Sequence, residues 1–229
     1  MLITQDIRNH FIAELAAEHF TIDRNGSKTI EMIGASFLAD ANCIFGFPNV
    51  DYIKAEIEWY TRAIPNVNIF KELYEIVPKA WISTGDPFGA VNSNYGELVY
   101  SPKYHRQFVR ACDELIQNPD SRRAQMVYNR PSIWTEYNEG GKNDFICTNA
   151  QTMYIRDGKL HMVCQMRSND ALWGYANDYA WAKHLMSEAV KVINHVTEAE
   201  IPIEIGDLHW QVMNLHVYFR HFDLVKQHM

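Results

Sequence analysis

No run of about 18 apolar residues occurs in the 229-residue sequence, so no membrane-spanning helix is expected. The opening MLITQDIRNH has neither a basic n-region nor an apolar h-region, and it is not read as a secretory signal. Cysteine is sparse. Cys43, Cys112, Cys147 and Cys164 form no CxxC pair, and their spacing matches neither a zinc site nor a disulfide framework. A reducing, cytoplasmic compartment is the expectation. Positive charge is also short: 21 Lys and Arg stand against 28 Asp and Glu, a net charge of −7, and Arg122-Arg123 is the longest basic run. A duplex-binding protein shows a basic face, so no nucleic acid polymer is expected as a partner. A single anionic metabolite held by a few arginines is compatible with this balance. Among the ten histidines, His216 and His221 come nearest to a ligand pair. They lie in LHVYFRHF, which reads as a strand. Five strand residues span about 16 Å, and the odd spacing sends the two side chains to opposite faces. No metal is expected.

What is present is enough apolar residue, 47% of the chain, for one sizeable core, and residues 1–229 are read as a single domain without repeats or linkers. Residues 3–19 place Ile7, Phe11, Leu15 and Ala16 at helical spacing. KTIEMIG (28–34) reads as a strand and DYIKAEIEWY (51–60) as a helix. Residues 103–117 form a helix with Phe108, Cys112 and Leu115 on one face, which makes Cys112 a core residue. QTMYIRDGKLHMVCQM (151–166) is a hairpin about Asp157-Gly158. A helix over 178–196 buries Ala182, Leu185, Met186, Ala189 and Ile193, and 201–224 is strand-rich. Strands and helices mix without strict βαβ alternation, which argues for an α+β fold.

Some residues stand out against this background. On the helix 51–60, Glu56 falls within the apolar half and Glu58 opposite it, taking about 100° per residue. Buried carboxylates are rare unless paired or functional, and a structural ion pair remains the alternative. Cys147, in DFICTNAQ, is either a small core residue or, beside a cluster of arginines, a thiolate with a lowered pKa. Arg122, Arg123 and Arg167 are candidates for phosphate, whose oxygens the guanidinium fork matches. Arg122-Arg123 alone reads as a solvated turn. Asp178, after Asn177, alone reads as an N-cap.

Together these fragments resemble the thymidylate synthase family. The motifs are NPDSRR, DFICTNAQ in place of the nucleophile loop, RSNDALWGYANDYA (167–180) and LHVYFRH (215–221). They run in register from about residue 20 to about residue 222. Two departures matter. The family's uracil-reading Asn falls at Asp178, and its His after the nucleophile is Thr148. KTIEMIGASF, EWY, NSNYG, CTN, MRSND and NDYAW look closest to the phage branch of the family that hydroxymethylates deoxycytidylate.

The resemblance implies a thymidylate synthase-like fold: a central mixed or antiparallel sheet packed with helices, in a homodimer joined sheet to sheet. It implies dCMP and 5,10-methylenetetrahydrofolate as substrates, no metal, and the cytoplasm of an infected bacterial host. Cys147 would add to C6 of dCMP, C5 would take the one-carbon unit, and water would complete a 5-hydroxymethyl group. Glu56 would order the water used in proton transfers, and Tyr95 would sit near the proton-abstraction site. Arg24, Arg167 and Ser168 match phosphate contacts, Arg122 and Arg123 match arginines lent to the neighbouring subunit's phosphate, Asn177 is a further substrate-binding position, and His216 and Tyr218 match sugar contacts. Asp170, Trp81 and Gly174 lie where folate binds. Asp178 suits cytosine, since a carboxyl can accept from the N4 amino group and share a proton with N3, whereas an Asn amide fits uracil. The chain stops at Met229, where the family's thymidylate synthases continue into a tail that closes on folate, and a weaker lid would leave the intermediate open to water. A dCMP methyltransferase ending in hydride transfer, a CMP hydroxymethylase and a non-catalytic nucleotide-binding dimer stay open.

Overall fold

The computed structural model describes residues 1–23, 26–198 and 202–229. In chain order the elements are β1 (Leu2–Ile3), α1 (Thr4–Ala16), β2 (Thr21–Ile22), β3 (Lys28–Leu38), α2 (Val50–Thr61), α3 (Phe70–Leu73), α4 (Lys79–Ile82), α5 (Tyr95–Tyr100) and α6 (Gln107–Gln117). They continue with β4 (Gln125–Val127), α7 (Ile133–Glu136), β5 (Thr148–Arg156), β6 (Lys159–Met166), β7 (Asn169–Asp170), α8 (Trp173–Thr197), β8 (Glu204–Tyr218) and α9 (Phe222–Lys226). The mixture is α+β, with one mixed sheet in the order β1-β3-β8-β6-β5-β4. β8 runs antiparallel to β3 but parallel to β6, and β7 joins β8 in parallel at its far end. β5 and β6 form the expected hairpin. Asp157 and Gly158 both take positive φ (51° and 70°), as a two-residue type I′ turn requires.

Period-two alternation decides which sheet face is buried. Leu160, Met162, Cys164 and Met166 of β6 and Leu208, Trp210 and Val212 of β8 point into the core, against α8. His161, Val163, Gln165, His209 and Gln211 point the other way and are half-buried, and Met213 beside them is exposed. The inward face joins the apolar sides of α1, α2, α6 and α8 in one contiguous cluster that runs from Ile7 to Val225. α5 lies unusually close to α2: a Cβ at Gly96 would stand 1.5 Å from the Tyr60 carbonyl oxygen, so only glycine permits this approach. Among the described residues no helix is long and apolar enough to cross a membrane.

Several element ends differ from the sequence reading. Ala16 is exposed, although Ile7, Phe11 and Leu15 are buried. The helix expected from residue 103 begins at Gln107, because His105 and Arg106 sit at positive φ (66° and 51°) after a short 3₁₀ turn over Pro102–Tyr104. α8 begins at Trp173 rather than 178. Burial of Tyr175 and Ala176 holds that first turn against the core despite Gly174 and Asn177. Asp178 is therefore inside the helix and is no N-cap. β8 ends at Tyr218, and His221 lies in a 3₁₀ turn instead of a continuing strand.

Candidate active site

Cys147 is the last loop residue before β5, and its partner in space is Arg167 at the end of β6. The Arg167 backbone N–H donates to the Cys147 carbonyl at 2.9 Å. Its side chain folds back over the same loop, with Nε donating to Ile146 O at 2.9 Å, Nη2 to Phe145 O at 2.6 Å, and Nη2 lying 3.5 Å from Cys147 Sγ. The guanidinium also stacks on the Phe145 ring, 4.8 Å from its centre. Expectation and structure part over the thiol. Burial pushes Cys147 up to about 11, Arg167 opposes the rise, and Asp178 and Asp144 add to it. A cluster of arginines was expected beside the thiol, and among the described residues Arg167 is the arginine that acts on it. Arg122 and Arg123 are exposed, and Arg123 pairs with Glu114 at 2.9 Å. Arg24 lies outside the described residues.

Glu56 occupies the buried face of α2 and Glu58 the exposed one. Burial raises Glu56 from the usual 4.5 to about 7, roughly 3 kcal/mol against ionisation. Two groups oppose that shift, Tyr52, which the sequence reading did not single out, and Trp81, which it placed at the folate. Tyr52, one turn earlier, donates its hydroxyl to Glu56 Oε1 at 2.6 Å, and Trp81 Nε1 donates to the Tyr52 hydroxyl at 2.8 Å. The i, i+4 spacing of Tyr52 and Glu56 was the available signal. Trp81 thus reaches the acid through Tyr52.

Asp178 sits in the second turn of α8. Burial and the nearby Glu56 hold its carboxyl protonated well above the usual carboxylate range. Asn169, buried on β7, donates Nδ2 to Asp178 Oδ2 at 2.8 Å, while Trp210 Nε1 donates to Asn169 Oδ1 at 3.3 Å. Indole nitrogen only donates, so it fixes which end of the Asn169 amide is oxygen. Asp178 Oδ2 is then an acceptor, and the proton of the neutral acid belongs on Oδ1. Gly174 packs closely here: a Cβ would stand 3.1 Å from Asn169 Nδ2 and 3.2 Å from Asp170 Cβ. Asn177 is half-buried, about 100° around the helix from Asp178. Asp170 Oδ1 accepts from the Leu172 N–H at 3.1 Å.

Tyr95, the first residue of α5, is buried and stacks on Tyr60 at 5.3 Å and edge-on to Tyr128 at 5.1 Å. The Thr148 side chain hydrogen-bonds its phenol, and burial holds that phenol protonated. A cleft of about 400 Å³ is lined by Arg167, Ser168, His216 and Tyr218, together with Asp23, Thr29, Glu31 and Asn214. Asn214 Nδ2 donates to Glu31 Oε2 at 3.1 Å, which turns Asn214 Oδ1 toward His216 Nδ1 at 3.2 Å. Nδ1 therefore carries the ring proton and Nε2 is left as an acceptor. Burial favours this neutral imidazole. At the side of the nucleophile loop Trp134 is 74% exposed and stands edge-on to Phe145 at 5.1 Å. Ile82, next to Trp81, is also exposed.

Away from this cleft, ligand atoms of His161, Asp207 and His209 lie within 4.8 Å of one another. His161 Nδ1 already accepts from the Asp207 N–H at 3.0 Å. Three separate histidine and aspartate positions on two strands carried no sequence signal.

The site therefore joins a thiol, two carboxyl groups that both resist ionisation, a buried phenol and a guanidinium. Such a set can add a nucleophile to a ring and move protons about it. A sequence model of thymidylate synthase matches residues 12–229. The chain is 42% identical over 224 residues to the deoxycytidylate 5-hydroxymethyltransferase of Enterobacteria phage T4, covering 98% of this chain and 89% of that protein. It is 27% identical over 217 residues to the thymidylate synthase of Corynebacterium aurimucosum, covering 90% of this chain and 75% of the relative. It is 26% identical over 181 residues to a deoxyuridylate hydroxymethyltransferase of Delftia phage PhiW-14, covering 74% and 46%.

Proposed function

The chain belongs to the thymidylate synthase family, and we propose that it transfers the one-carbon unit of 5,10-methylenetetrahydrofolate to C5 of dCMP with addition of water. The products are 5-hydroxymethyl-dCMP and tetrahydrofolate. The observation that carries this reading is the Asp178 carboxyl, whose Oδ2 accepts from Asn169 Nδ2 at 2.8 Å while burial favours its protonated form, which leaves Oδ1 as the donor. Cytosine offers the complement, an N4 amino donor beside an N3 acceptor. Uracil offers the reverse and would leave buried groups unpaired. The name of the phage T4 relative supports the same substrate and the same product.

The residues divide the work as follows. Cys147 Sγ bonds to C6, and the Asp178 proton moves toward N3 as charge spreads into the ring. C5 becomes nucleophilic and bonds to the one-carbon unit supplied by the folate, whose C–N bond to that carbon breaks as the C5 proton is lost, releasing tetrahydrofolate. The C5 proton leaves on the side of Tyr95, with Glu56 and its ordered water as the acceptor system. Water adds to the exocyclic carbon, and Sγ departs from C6. Arg167 and Ser168 hold the phosphate, His216 Nε2 accepts from a sugar hydroxyl, and Tyr218 flanks it. Trp81, Asp170 and Gly174 border the folate, and the exposed faces of Trp134 and Ile82 suit a planar heterocycle. Arg24, Arg122 and Arg123 complete the phosphate site. For Arg122 and Arg123 the phosphate is that of a second copy, joined through the outward sheet face that carries Gln165, Gln211 and Met213.

Glu56 gives the reaction a defined pH dependence. Its carboxylate fraction falls as pH drops through about 7. kcat/KM, which reports the nucleotide-free enzyme, is expected to fall about tenfold per pH unit below that midpoint. Tyr52→Phe removes a donor that favours the carboxylate, so the acid limb moves to higher pH. A limb that stays in place in Tyr52→Phe contradicts this role. The proposal as a whole is tested by offering dCMP, CMP and dUMP in parallel with 5,10-methylenetetrahydrofolate. Turnover of dCMP alone is expected, and turnover confined to either other nucleotide overturns the substrate.

A further inference from the structure

We propose that Asp144 is a positioning residue that fixes the Cys147 thiol relative to the Tyr95 phenol. This inference rests on the catalytic reading of those two groups. Asp144 is buried, with 4% of its surface exposed, and it does not touch the thiol. Its carboxylate reaches across to a segment 51 and 52 residues earlier: Oδ2 accepts from the Asn92 N–H at 2.5 Å and the Ser93 N–H at 2.8 Å, and Oδ1 from the Ser93 hydroxyl at 2.5 Å. Asn92 returns the contact. Its Nδ2 donates to Asp144 O and to Glu136 O, both at 3.0 Å, and Lys142 Nζ donates to its Oδ1 at 3.1 Å. The Asp144 N–H is held by Tyr137 O at 2.8 Å.

Both ends of this seam lead directly to the chemistry. Two residues past Ser93 stands Tyr95, and Asn94 between them caps α5 by accepting from the Glu97 N–H at 2.6 Å. Three residues past Asp144 stands Cys147, within about 10 Å of chain. α5 is already fixed from behind by the Gly96 approach to Tyr60 and by Asn94 Nδ2, which donates to Ile64 O at 3.1 Å. On that side the nucleophile loop is also tied by Thr148, which hydrogen-bonds the Tyr95 phenol, and by the Asn143 N–H, which donates to Thr84 O at 2.8 Å, but Asp144 alone takes three bonds from the segment that leads into α5. Arg167 holds it from the opposite side. A carboxylate meets this need because it alone among small side chains accepts several N–H and O–H bonds at once with no donor of its own. Its charge works against the thiolate, since Asp144 and Asp178 both raise Cys147 while Arg167 lowers it. A residue kept for acidity would not be placed there, so geometry is what Asp144 contributes.

The test compares Asp144→Asn and Ser93→Ala with the parent protein, using whichever pyrimidine nucleotide the parent turns over. Turnover at saturation and KM are measured together with the pH midpoint for alkylation of Cys147 by iodoacetamide. Asp144→Asn replaces one accepting oxygen, that of the Ser93 hydroxyl bond, by a donor, and removes the charge. Turnover is expected to fall about 100-fold, the scale of a 1 Å misplacement, with KM changed less than about threefold. The alkylation midpoint falls although the enzyme is slower. Ser93→Ala keeps the charge and cuts one bond of the seam, so its turnover falls by less and its midpoint stays. Turnover within about threefold of the parent in both variants overturns the proposal, as does a loss matched by an equal rise in KM. If Asp144→Asn does not fold, Ser93→Ala decides alone by the same criteria. A parent that prefers another nucleotide refutes the dCMP reading and leaves this comparison intact, whereas a parent inactive on all of them overturns both.

Discussion

Cys147→Ser is expected to lower turnover of dCMP by about four orders of magnitude or more while dCMP binding changes less than about threefold. The thiol has one weak contact of its own, 3.8 Å from Phe145 O, and Arg167 is held mainly by two backbone carbonyls. A serine hydroxyl fits the same space, so fold and cleft persist. What disappears is the polarisable nucleophile. Cys147 lies near 11 without nucleotide, so even the native thiol must lose its proton as part of the reaction, and a hydroxyl is a far weaker acid. Equilibrium binding of dCMP alongside steady-state turnover measures the split. Substantial turnover in the variant would remove Cys147 as nucleophile, and lost binding would make it a structural residue.

Asp178→Asn is expected to reduce the ratio of kcat/KM for dCMP over dUMP by about 10³-fold or more, about 4 kcal/mol. Most of that change comes from lost dCMP turnover. An amide cannot give up a proton toward N3, so the charge that spreads into the ring on attack at C6 goes unneutralised. The gain on dUMP is smaller, because Asn169 Nδ2 still donates toward the position of Oδ2 and holds the new amide oxygen there. Uracil needs the amide turned over, which would set two donors against each other, with Trp210 preventing Asn169 from turning. Competition of the two nucleotides for one enzyme sample reads the ratio directly. Unchanged dCMP selectivity in the variant would contradict this account of base recognition.

Local chemistry made much of the fold legible. Asp157-Gly158 marked the β5–β6 hairpin because few residues tolerate positive φ at both positions. The helical angle of Glu56 placed a carboxylate on a buried face, and that face is buried. The apolar stripe from Ala182 to Ile193 set α8, but its first turn was hidden, since Gly174 and Asn177 are weak helix formers and only burial of Tyr175 and Ala176 overrides them. In the site, single residues were easier to read than their partners. Asn169 and Trp210, which orient Asp178, lie on separate strands, and nothing local relates them. Asp144 is joined to Ser93 across 51 residues. The acidity of the thiol was open in the sequence for the same reason: it depends on what surrounds Cys147 in space, where burial outweighs Arg167.

The central claim is that water completes the transfer onto cytosine. Mass analysis of the nucleotide formed from dCMP and 5,10-methylenetetrahydrofolate, with the folate product identified in the same incubation, addresses it most directly. The account predicts a nucleotide heavier by one CH2O unit and release of tetrahydrofolate. A nucleotide heavier by one CH2 unit, with dihydrofolate released, would mean hydride transfer and would contradict it.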